Sequence, residues 1–581
     1  MKNIIVREYL ESLKEDRELD AIFPILLEAM GFQIITSPKH TKGYQQFGKD
    51  VVVVGTDADG IKKRFYFEIK GGDDKNITDS VFTKNDGIRM SLIEAKDRPF
   101  SHNALPEFKD LPVKIVLVHN GVLRENVRET FDGFIGREFP AGGGYEFESW
   151  DIYKLTELFT EKLFNEYLLT DDKAVQHFKK VLVLFGTPKN DNADFKALID
   201  NIFDHAKNYD EIGERGRIML AETLKLISFI IHHYAAEAGN LEPAKQCLDY
   251  ALVAYWRWLL KHDKVKDKKA IKVFNRYLAT YRQFLEDYFG KTLPIAKLPY
   301  GLWSQNGGRY EQAGYPMRSM RFLSSLISYF EFTEALAGKK ATGLMAEHIS
   351  DLQIVIENND STHRPLLDIH SIPIIQALDY FISRGKTDEA RIYLGKVWES
   401  IIVGYKTFKR LPDGNNSIKS VIRYMVTGEK NIYFMDKTSH LMGALLEYLA
   451  LLNMEEEYEV VQEFLKEIAI DLAIFVPYND TVLLAQPDLE AESHEMALLT
   501  ATLHREGYQS QISYFKDFKE FKSLIVNKNE FSYDYKTVSA GYGWILPIAH
   551  SLFKTPLAPN YWRPAAAKLS PPIADEPEQA E

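Results

Sequence analysis

Apolar and polar positions alternate in two different ways along this chain. Up to about residue 168, short apolar runs that suit β-strands are interleaved with segments whose apolar positions recur at helical spacing. Strands are predicted for FQIITS, VVVVG, FYFEIK, VKIVLV and YEFESW, and helices for about residues 7–30, 77–96 and 123–135 and after residue 150. Strands that alternate with helices predict an α/β layered fold.

Beyond about residue 168 the strand-like runs fade. Residues 169–196 are expected to form a linker, and residues 197–562 carry apolar positions at helical spacing almost throughout, without a fixed repeat. They predict a large all-α domain that regulates the first domain or binds a partner. Within it, the glycine-rich stretch 301–322 predicts a long loop. Residues 563–581, rich in proline, alanine and acid, are expected to be disordered.

Composition narrows the class of protein. A chain of 581 residues is long enough for more than one domain. Its net charge of −12 argues against a general polyanion binder, so nucleic acid would have to bind in a local groove, through a metal ion or through a partner. The single cysteine, Cys247, excludes an internal disulfide framework and suits a reducing cytoplasm. No apolar run reaches the roughly 18 residues of a spanning helix, so we expect a cytoplasmic protein with no membrane partner.

Charged residues stand at the ends of two of the most apolar predicted strands. Because side chains alternate along a strand, Glu68 and Lys70 of FYFEIK point to the same face. If this strand pairs with VVVVG, Asp50 lies across from Glu68. Two carboxylates at one spot repel each other unless a cation binds both, and magnesium prefers such oxygen ligands. The sequence therefore predicts a divalent-cation site at Asp50 and Glu68, beside Lys70.

These residues resemble a known family. GKD followed by FEIK, after a helix that ends LLEAMGF, looks like the PD-(D/E)xK nuclease superfamily, in particular its Mrr-like restriction endonuclease branch. Over roughly residues 7–168, the resemblance assigns the first acid to Asp50, the second to Glu68 and the lysine to Lys70. Glu28 fits the helical acid that the family often has, although a place on the wet face of its helix fits equally well. Lys49 replaces the proline of the family's name.

The resemblance implies a restriction-endonuclease-like α/β domain at residues 1–168, followed by the all-α domain. It implies a metal-dependent endonuclease that uses Mg²⁺ or Mn²⁺ and acts on DNA more readily than on RNA. Related architectures suggest the effector of a prokaryotic restriction or anti-phage defence system. Two active sites are needed to cut both strands at once, so a homo-oligomer is expected. The helical domain would bind a protein partner or an activator.

Other interpretations stay open at this stage. The charges could belong to a solvated surface hairpin. Gly43, Gly48 and Lys49 have the spacing of a phosphate-binding loop, but Asp50 stands where that loop needs Ser or Thr, and a strand follows rather than a helix. The protein could instead be a helical scaffold whose nuclease-like domain is not catalytic. A nuclease that acts on RNA is equally compatible with the motif, since the phosphate is common to both nucleic acids.

Overall fold

The computed structural model of the chain describes residues 3, 6, 7, 10, 11, 13–15, 19–36, 48–100, 108–164, 177, 178, 180, 181, 192–206, 208–472, 474, 517–527 and 536–567. They fall into two compact units, residues 1–251 with 272–281, and residues 252–271 with 282–581. The boundary expected at residue 168 and most of the expected linker lie outside the described residues, so that division stays a prediction.

A five-stranded mixed sheet forms the centre of the first unit, and its strands follow one another in chain order. The first three strands are antiparallel, and the third, fourth and fifth are parallel. All five predicted strands are present, which confirms the expected alternation of strands and helices in this part of the chain. The strands are β1 (Gln33–Thr36), β2 (Val51–Thr56), β3 (Lys62–Lys70), β4 (Val113–His119) and β5 (Tyr145–Trp150).

Helices cover both faces of the sheet. On one face, Val52, Tyr66 and Leu117 belong to a core cluster with residues of helices Asp79–Thr83, Ile88–Asp97 and Glu125–Glu138. On the other face, the Phe67 ring lies 5.0 Å from that of Phe23, on helix α1 (Asp20–Ala29), and 5.3 Å from that of Trp150. Because both faces are buried, β2 and β4 are apolar at nearly every position.

Further helices complete the first unit. Helix Gly213–Glu237 packs against α1, next to the π-helical turn Thr160–Phe164. Two long helices, Glu242–Lys261 and Lys268–Ala296, contribute residues to both units. Other helices described in the first unit are Ile152–Phe159 and Ala193–Ala206, together with the short 3-10 turns Gly72–Asp74 and Phe108–Asp110.

The described part of the second unit is helical, apart from the two-residue strands Thr438–Ser439 and Asp471–Leu472, which pair in parallel. Helix His440–Leu451 lies at its centre, with every residue buried. The other helices are Glu311–Ala337, Ala341–Asn358, Ser371–Ser383, Thr387–Phe408, Ile418–Thr427, Glu455–Ile468, Phe518–Asn527, Lys536–Ser539, Ile545–Phe553 and Pro559–Ala567, with 3-10 turns at Gly308–Tyr310, Gly338–Lys340, Asp360–His363 and Asp368–His370.

Two expectations about the helical part differ from the structure. The loop predicted for residues 301–322 ends at residue 310, because helix Glu311–Ala337 starts inside it. Residues 563–567, which the sequence predicts to be disordered, belong to helix Pro559–Ala567. In this helix the Arg563 guanidinium pairs with the buried Glu447 carboxylate, and Trp562 is fully buried. Among the described residues, no helix is long and apolar enough to cross a bilayer.

Candidate functional site

The pairing of β2 with β3 brings together the residues singled out in the sequence. Val51 pairs with Phe67 and Val52 with Tyr66, and the regular pairing ends there, with Asp50 preceding Val51 and Glu68 following Phe67. The Asp50 backbone N–H donates to the Phe67 carbonyl at 2.8 Å, so the ladder is irregular at this point and Asp50 stays against the end of β3. The Asp50 carboxylate Oδ2 in turn accepts a hydrogen bond from the Ile69 N–H at 2.7 Å.

Glu68 and Lys70 share one face of β3, as the alternation of side chains predicts. The Lys70 ammonium lies 3.0 Å from Glu68 Oε1. Glu68 is only 3 % exposed, which is unusual for a carboxylate and requires a compensating charge. The structure therefore places Asp50, Glu68 and Lys70 in one cluster, at the end of β3 where the chain leaves the sheet.

A third carboxylate, that of Glu15, joins this cluster. Glu15 Oε1 lies 3.5 Å from the Lys70 ammonium, and Oε2 accepts a hydrogen bond from the Gly71 N–H at 3.2 Å. Sequence reasoning missed this residue, because Glu15 stands in a run of mixed charges with nothing local to distinguish it. Only the folding of the N-terminal segment onto the sheet brings it to the site.

The electrostatics of the cluster are unbalanced. Burial, and then the neighbouring Glu68 carboxylate, raise the pKa of Asp50 well above its ordinary value of 3.8. Burial also raises the pKa of Glu15. Burial opposes the charge of Lys70, but the carboxylates of Glu68, Glu15 and Asp50 outweigh that effect and raise its pKa. The carboxylates of the cluster thus help to raise the pKa values of Asp50 and Glu15, and a bound divalent cation would favour their ionised forms.

Glu28 does not join these residues. It lies on α1, which packs on the Phe67 face of the sheet, whereas Glu68 points to the opposite face. Its carboxylate Oε2 is 3.4 Å from the guanidinium of Arg276 on helix Lys268–Ala296. The expectation that Glu28 belongs to the site is therefore corrected: the described contacts make it an ion-pair partner of Arg276.

Lys49 adds a second cation beside the cluster, at the position of the family's proline. Its ammonium lies 5.6 Å from the centre of the Tyr66 ring, and the residue is only 6 % exposed. Burial lowers the pKa of Lys49 to about 8. Gly48 lets the chain approach helix Ile88–Asp97 closely, since its φ is +71° and a Cβ there would lie 1.9 Å from the Ser91 carbonyl oxygen.

Three more acids, Asp57, Asp59 and Glu146, lie close together at the other end of β2. The Lys63 ammonium lies 2.8, 2.5 and 2.7 Å from their respective carboxylates. Although burial opposes the charge of Asp57, hydrogen bonds from Lys63 and Lys114 lower its pKa to about 2. A lysine of the protein therefore already occupies the position that a metal ion would take, so we assign no metal to this acidic cluster.

His119, at the end of β4, pairs in register with Lys70 but faces other partners. Its Nδ1 lies 3.2 Å from the Lys75 carbonyl oxygen and its Nε2 3.5 Å from Ser149 Oγ. Burial lowers the pKa of His119, so the imidazole stays neutral near pH 7. These contacts tie the segment after β3 to β4 and β5, and they give His119 a supporting role.

Comparison of the chain with protein-family models, with curated proteins and with solved structures finds no match. The residues and geometry of this chain define a cluster of three carboxylates and a lysine at the end of a central strand. Carboxylate oxygens are the ligands that Mg²⁺ and Mn²⁺ prefer, so the donor set fits a hard divalent cation.

Proposed function

We propose that this protein is a metal-dependent nuclease that hydrolyses phosphodiester bonds. The observation that carries the proposal is the convergence of three carboxylates, those of Asp50, Glu68 and Glu15, around the ammonium of Lys70. The Glu68 side chain is 4 % exposed and that of Lys70 15 %, whereas the Glu15 side chain is 39 % exposed, so the cluster is buried on the Glu68 side and open to solvent at Glu15. A partly open cluster whose ligands are hard carboxylate oxygens suits a cation of charge +2.

Each residue has a defined task in such a reaction. The carboxylates of Asp50, Glu68 and Glu15 would hold Mg²⁺ or Mn²⁺, which when bound supplies a polarised water and stabilises charge on the phosphate. In the protein without metal, the carboxylates raise the pKa of Lys70 although burial opposes its charge. The Lys70 ammonium would donate hydrogen bonds to the attacking water or to the phosphate oxygens.

The substrate and the biological setting follow from the family resemblance described above. We infer DNA as the preferred substrate, a cytoplasmic setting, and a role as the effector of a prokaryotic restriction or anti-phage defence system. The helical second unit would bind an activator or partner, or hold copies of the chain together. Nothing in the cluster distinguishes DNA from RNA, because Lys70 and the carboxylates act on the phosphate that both contain.

Cleavage assays with the full chain test the proposal. Plasmid DNA and total RNA would be incubated separately with wild-type protein and Mg²⁺, Mn²⁺ or chelator, next to Lys70→Ala and Glu68→Gln. Asp59→Asn is the matched control, since it changes a carboxylate of the cluster that Lys63 already neutralises. We expect metal-dependent cutting that the first two variants lose and the control keeps.

The opposite results separate the alternatives. Cutting that survives Glu68→Gln and Lys70→Ala would remove the site assignment. If no preparation cuts either nucleic acid, calorimetric titration of Mn²⁺ decides, because a helical scaffold with a non-catalytic nuclease-like domain would show no binding that depends on Asp50. Preference for total RNA over plasmid DNA would keep the chemistry and change the substrate.

A further inference from the structure

Asn120 connects the end of β4 to the N-terminal segment of the chain. It directly follows His119, the last residue of β4, and is 0 % exposed. Its amide Nδ2 donates two short hydrogen bonds, to the Leu10 carbonyl at 2.6 Å and to the Leu13 carbonyl at 2.7 Å. A buried amide that uses both of its N–H groups on one segment fixes the position of that segment.

The segment that Asn120 holds is the one that carries Glu15. Residues 10 and 11 are helical, residues 13 and 14 are not, and residue 15 is π-helical, so Asn120 binds the segment at an interruption of its helical structure. Two further contacts assist, since the Lys75 ammonium donates to the Glu11 carbonyl at 2.8 Å and the Gly72 N–H to the Leu13 carbonyl at 3.4 Å. Glu15 follows Leu13 by two residues.

There is little room for the segment to shift once it is seated. A Cβ on Gly71 would lie 2.8 Å from the Glu15 backbone nitrogen and 2.9 Å from its Cα, so the two backbones are in direct contact. The Glu15 carboxylate then reaches Gly71 N–H and Lys70 on β3. The chain of contacts therefore runs from Asn120, through the carbonyls of residues 10 and 13, to the third carboxylate of the cluster.

We propose that Asn120 is a positioning residue that delivers Glu15 to the cation site and thereby sets the affinity for the divalent ion. The inference rests on the proposed function, because it takes the cluster to be a metal site. Asn120 itself would touch neither the metal nor the substrate. When a residue that orients a metal ligand without touching the metal is removed, metal affinity typically falls by about 10- to 100-fold.

Calorimetric titration of Mn²⁺ into the full chain tests this, with the wild type, Asn120→Ala, Glu15→Gln and the double variant. We expect Asn120→Ala to weaken Mn²⁺ binding about 10- to 100-fold. We expect it to cause no further loss in the Glu15→Gln background, because the carboxylate that it positions is already gone. A purely structural role predicts the same loss of stability in both backgrounds and unchanged affinity for Mn²⁺.

Asn359 supplies a matched control in the second unit. It too is 0 % exposed, and its Nδ2 donates to the Ala296 and Val355 carbonyls at 2.7 and 2.9 Å. Asn359→Ala therefore removes the same kind of buried bridge from a different place, and it should leave Mn²⁺ binding unchanged. If Asn120→Ala fails to fold, Lys75→Met removes only the contact with the Glu11 carbonyl, and a smaller loss in the same direction is expected.

Hydrogen exchange separates failure of this inference from failure of the proposed function. Without metal, the Gly71 amide should exchange faster in Asn120→Ala than in the wild type, because its acceptor is the Glu15 carboxylate. The positioning role would be overturned if the Gly71 amide exchanged at the wild-type rate in Asn120→Ala, or if this variant bound Mn²⁺ with wild-type affinity. It would also be overturned if the losses of Mn²⁺ affinity from Asn120→Ala and Glu15→Gln added up in the double variant. If the wild type binds no Mn²⁺, the metal site and the proposed function are refuted. Hydrogen exchange at Gly71 then decides only whether Asn120 positions Glu15.

Discussion

Two aspartates flank strand β2, and we predict opposite effects when each is changed to asparagine. Asp50 precedes the strand and belongs to the candidate metal cluster, whereas Asp57 follows it and contacts Lys63. The two substitutions remove the same charge from the two ends of one strand and hardly change side-chain shape. In the absence of metal, Asp57→Asn should destabilise the protein and Asp50→Asn should stabilise it.

The magnitude at Asp57 follows from its pKa. Lysine contacts lower this pKa from 3.8 to about 2, and its side chain is only 13 % exposed. At about 1.4 kcal/mol for each pKa unit, the ionised carboxylate contributes about 2 kcal/mol of stability at pH 7. Because the pKa is lowered, this contribution is present above pH 3.8 and is lost as the pH falls toward 2. Asp57→Asn should forfeit it.

At Asp50 the sign is reversed. Burial and the Glu68 carboxylate raise its pKa, so ionisation at pH 7 costs about 1.4 kcal/mol for each unit of the increase. The cost is absent well below pH 3.8 and grows as the pH rises toward the raised pKa. Asparagine carries no charge and can still accept the hydrogen bond from Ile69 N–H through its amide oxygen. The neutral variant should therefore be more stable than the wild type when no metal is present.

In Mn²⁺ the wild type should gain more stability than Asp50→Asn. At a Mn²⁺ concentration about 100 times the dissociation constant, binding stabilises the wild type by about 2.7 kcal/mol. For a unit of this size, that corresponds to a rise of roughly 5–10 °C in melting temperature. If Asp50→Asn weakens binding 100-fold, the same Mn²⁺ adds only about 0.4 kcal/mol. Asp57→Asn should keep the full wild-type response to the ion.

Differential scanning calorimetry of the three proteins, in chelator and in Mn²⁺, measures all of these differences. Repeating the scans in chelator at pH 7 and at about pH 4 tests the sign, because the advantage of Asp50→Asn should shrink as Asp50 takes up its proton. The reasoning would be refuted if Asp50→Asn were less stable than the wild type in chelator, or if it gained as much stability from Mn²⁺. If Mn²⁺ no longer stabilised Asp57→Asn, the metal site would have to be assigned to the Asp57 end of β2.

Two further predictions concern single features of the structure. Gly71→Ala should weaken Mn²⁺ binding in the same titration, because its Cβ would meet the Glu15 backbone, whereas Gly136→Ala, with nothing within 4 Å of the added Cβ, should leave binding intact. Acid should destabilise the second unit, because burial lowers the pKa of His370 to about 3 and of His550 to about 4. As the pH falls from about 6.5 toward 4, each of the two histidines should lower the free energy of unfolding by about 1.4 kcal/mol per pH unit. In urea unfolding, His550→Gln should therefore make the midpoint depend less steeply on pH.

The parts of the site that the sequence predicts depend on short-range geometry. The period of two along FYFEIK places Glu68 and Lys70 on one face, and the short connection between β2 and β3 is compatible with the antiparallel register that brings Asp50 to the end of β3. Glu15 depends instead on contacts with residues more than 50 positions away, and no local pattern encodes them. For Glu28, helical spacing identifies the exposed side of the helix but not which face of the sheet that helix covers.

The helical unit shows a second reason why sequence patterns fail. The stretch 301–322 is rich in glycine and contains Pro316, and such residues usually mark a loop. Helix Glu311–Ala337 forms there because Ala313, Tyr315 and Met320 are buried and because Arg318 pairs with Glu311 inside the helix. Burial outweighs local propensity here, and it can be seen only once the fold is known.

The carboxylates at the two ends of β2 differ in whether their charges stabilise the fold. Folding alone favours the arrangement at Asp57, where lysines stabilise the carboxylate and lower its pKa. At Asp50 and Glu15 the fold instead keeps carboxylates whose pKa values burial raises, and it orders a separate N-terminal segment to bring in one of them. Such local instability persists where the surrounding structure compensates for it and where a ligand relieves it. A divalent cation would give that relief, so the least stable charges of the sheet are the best indication of its function.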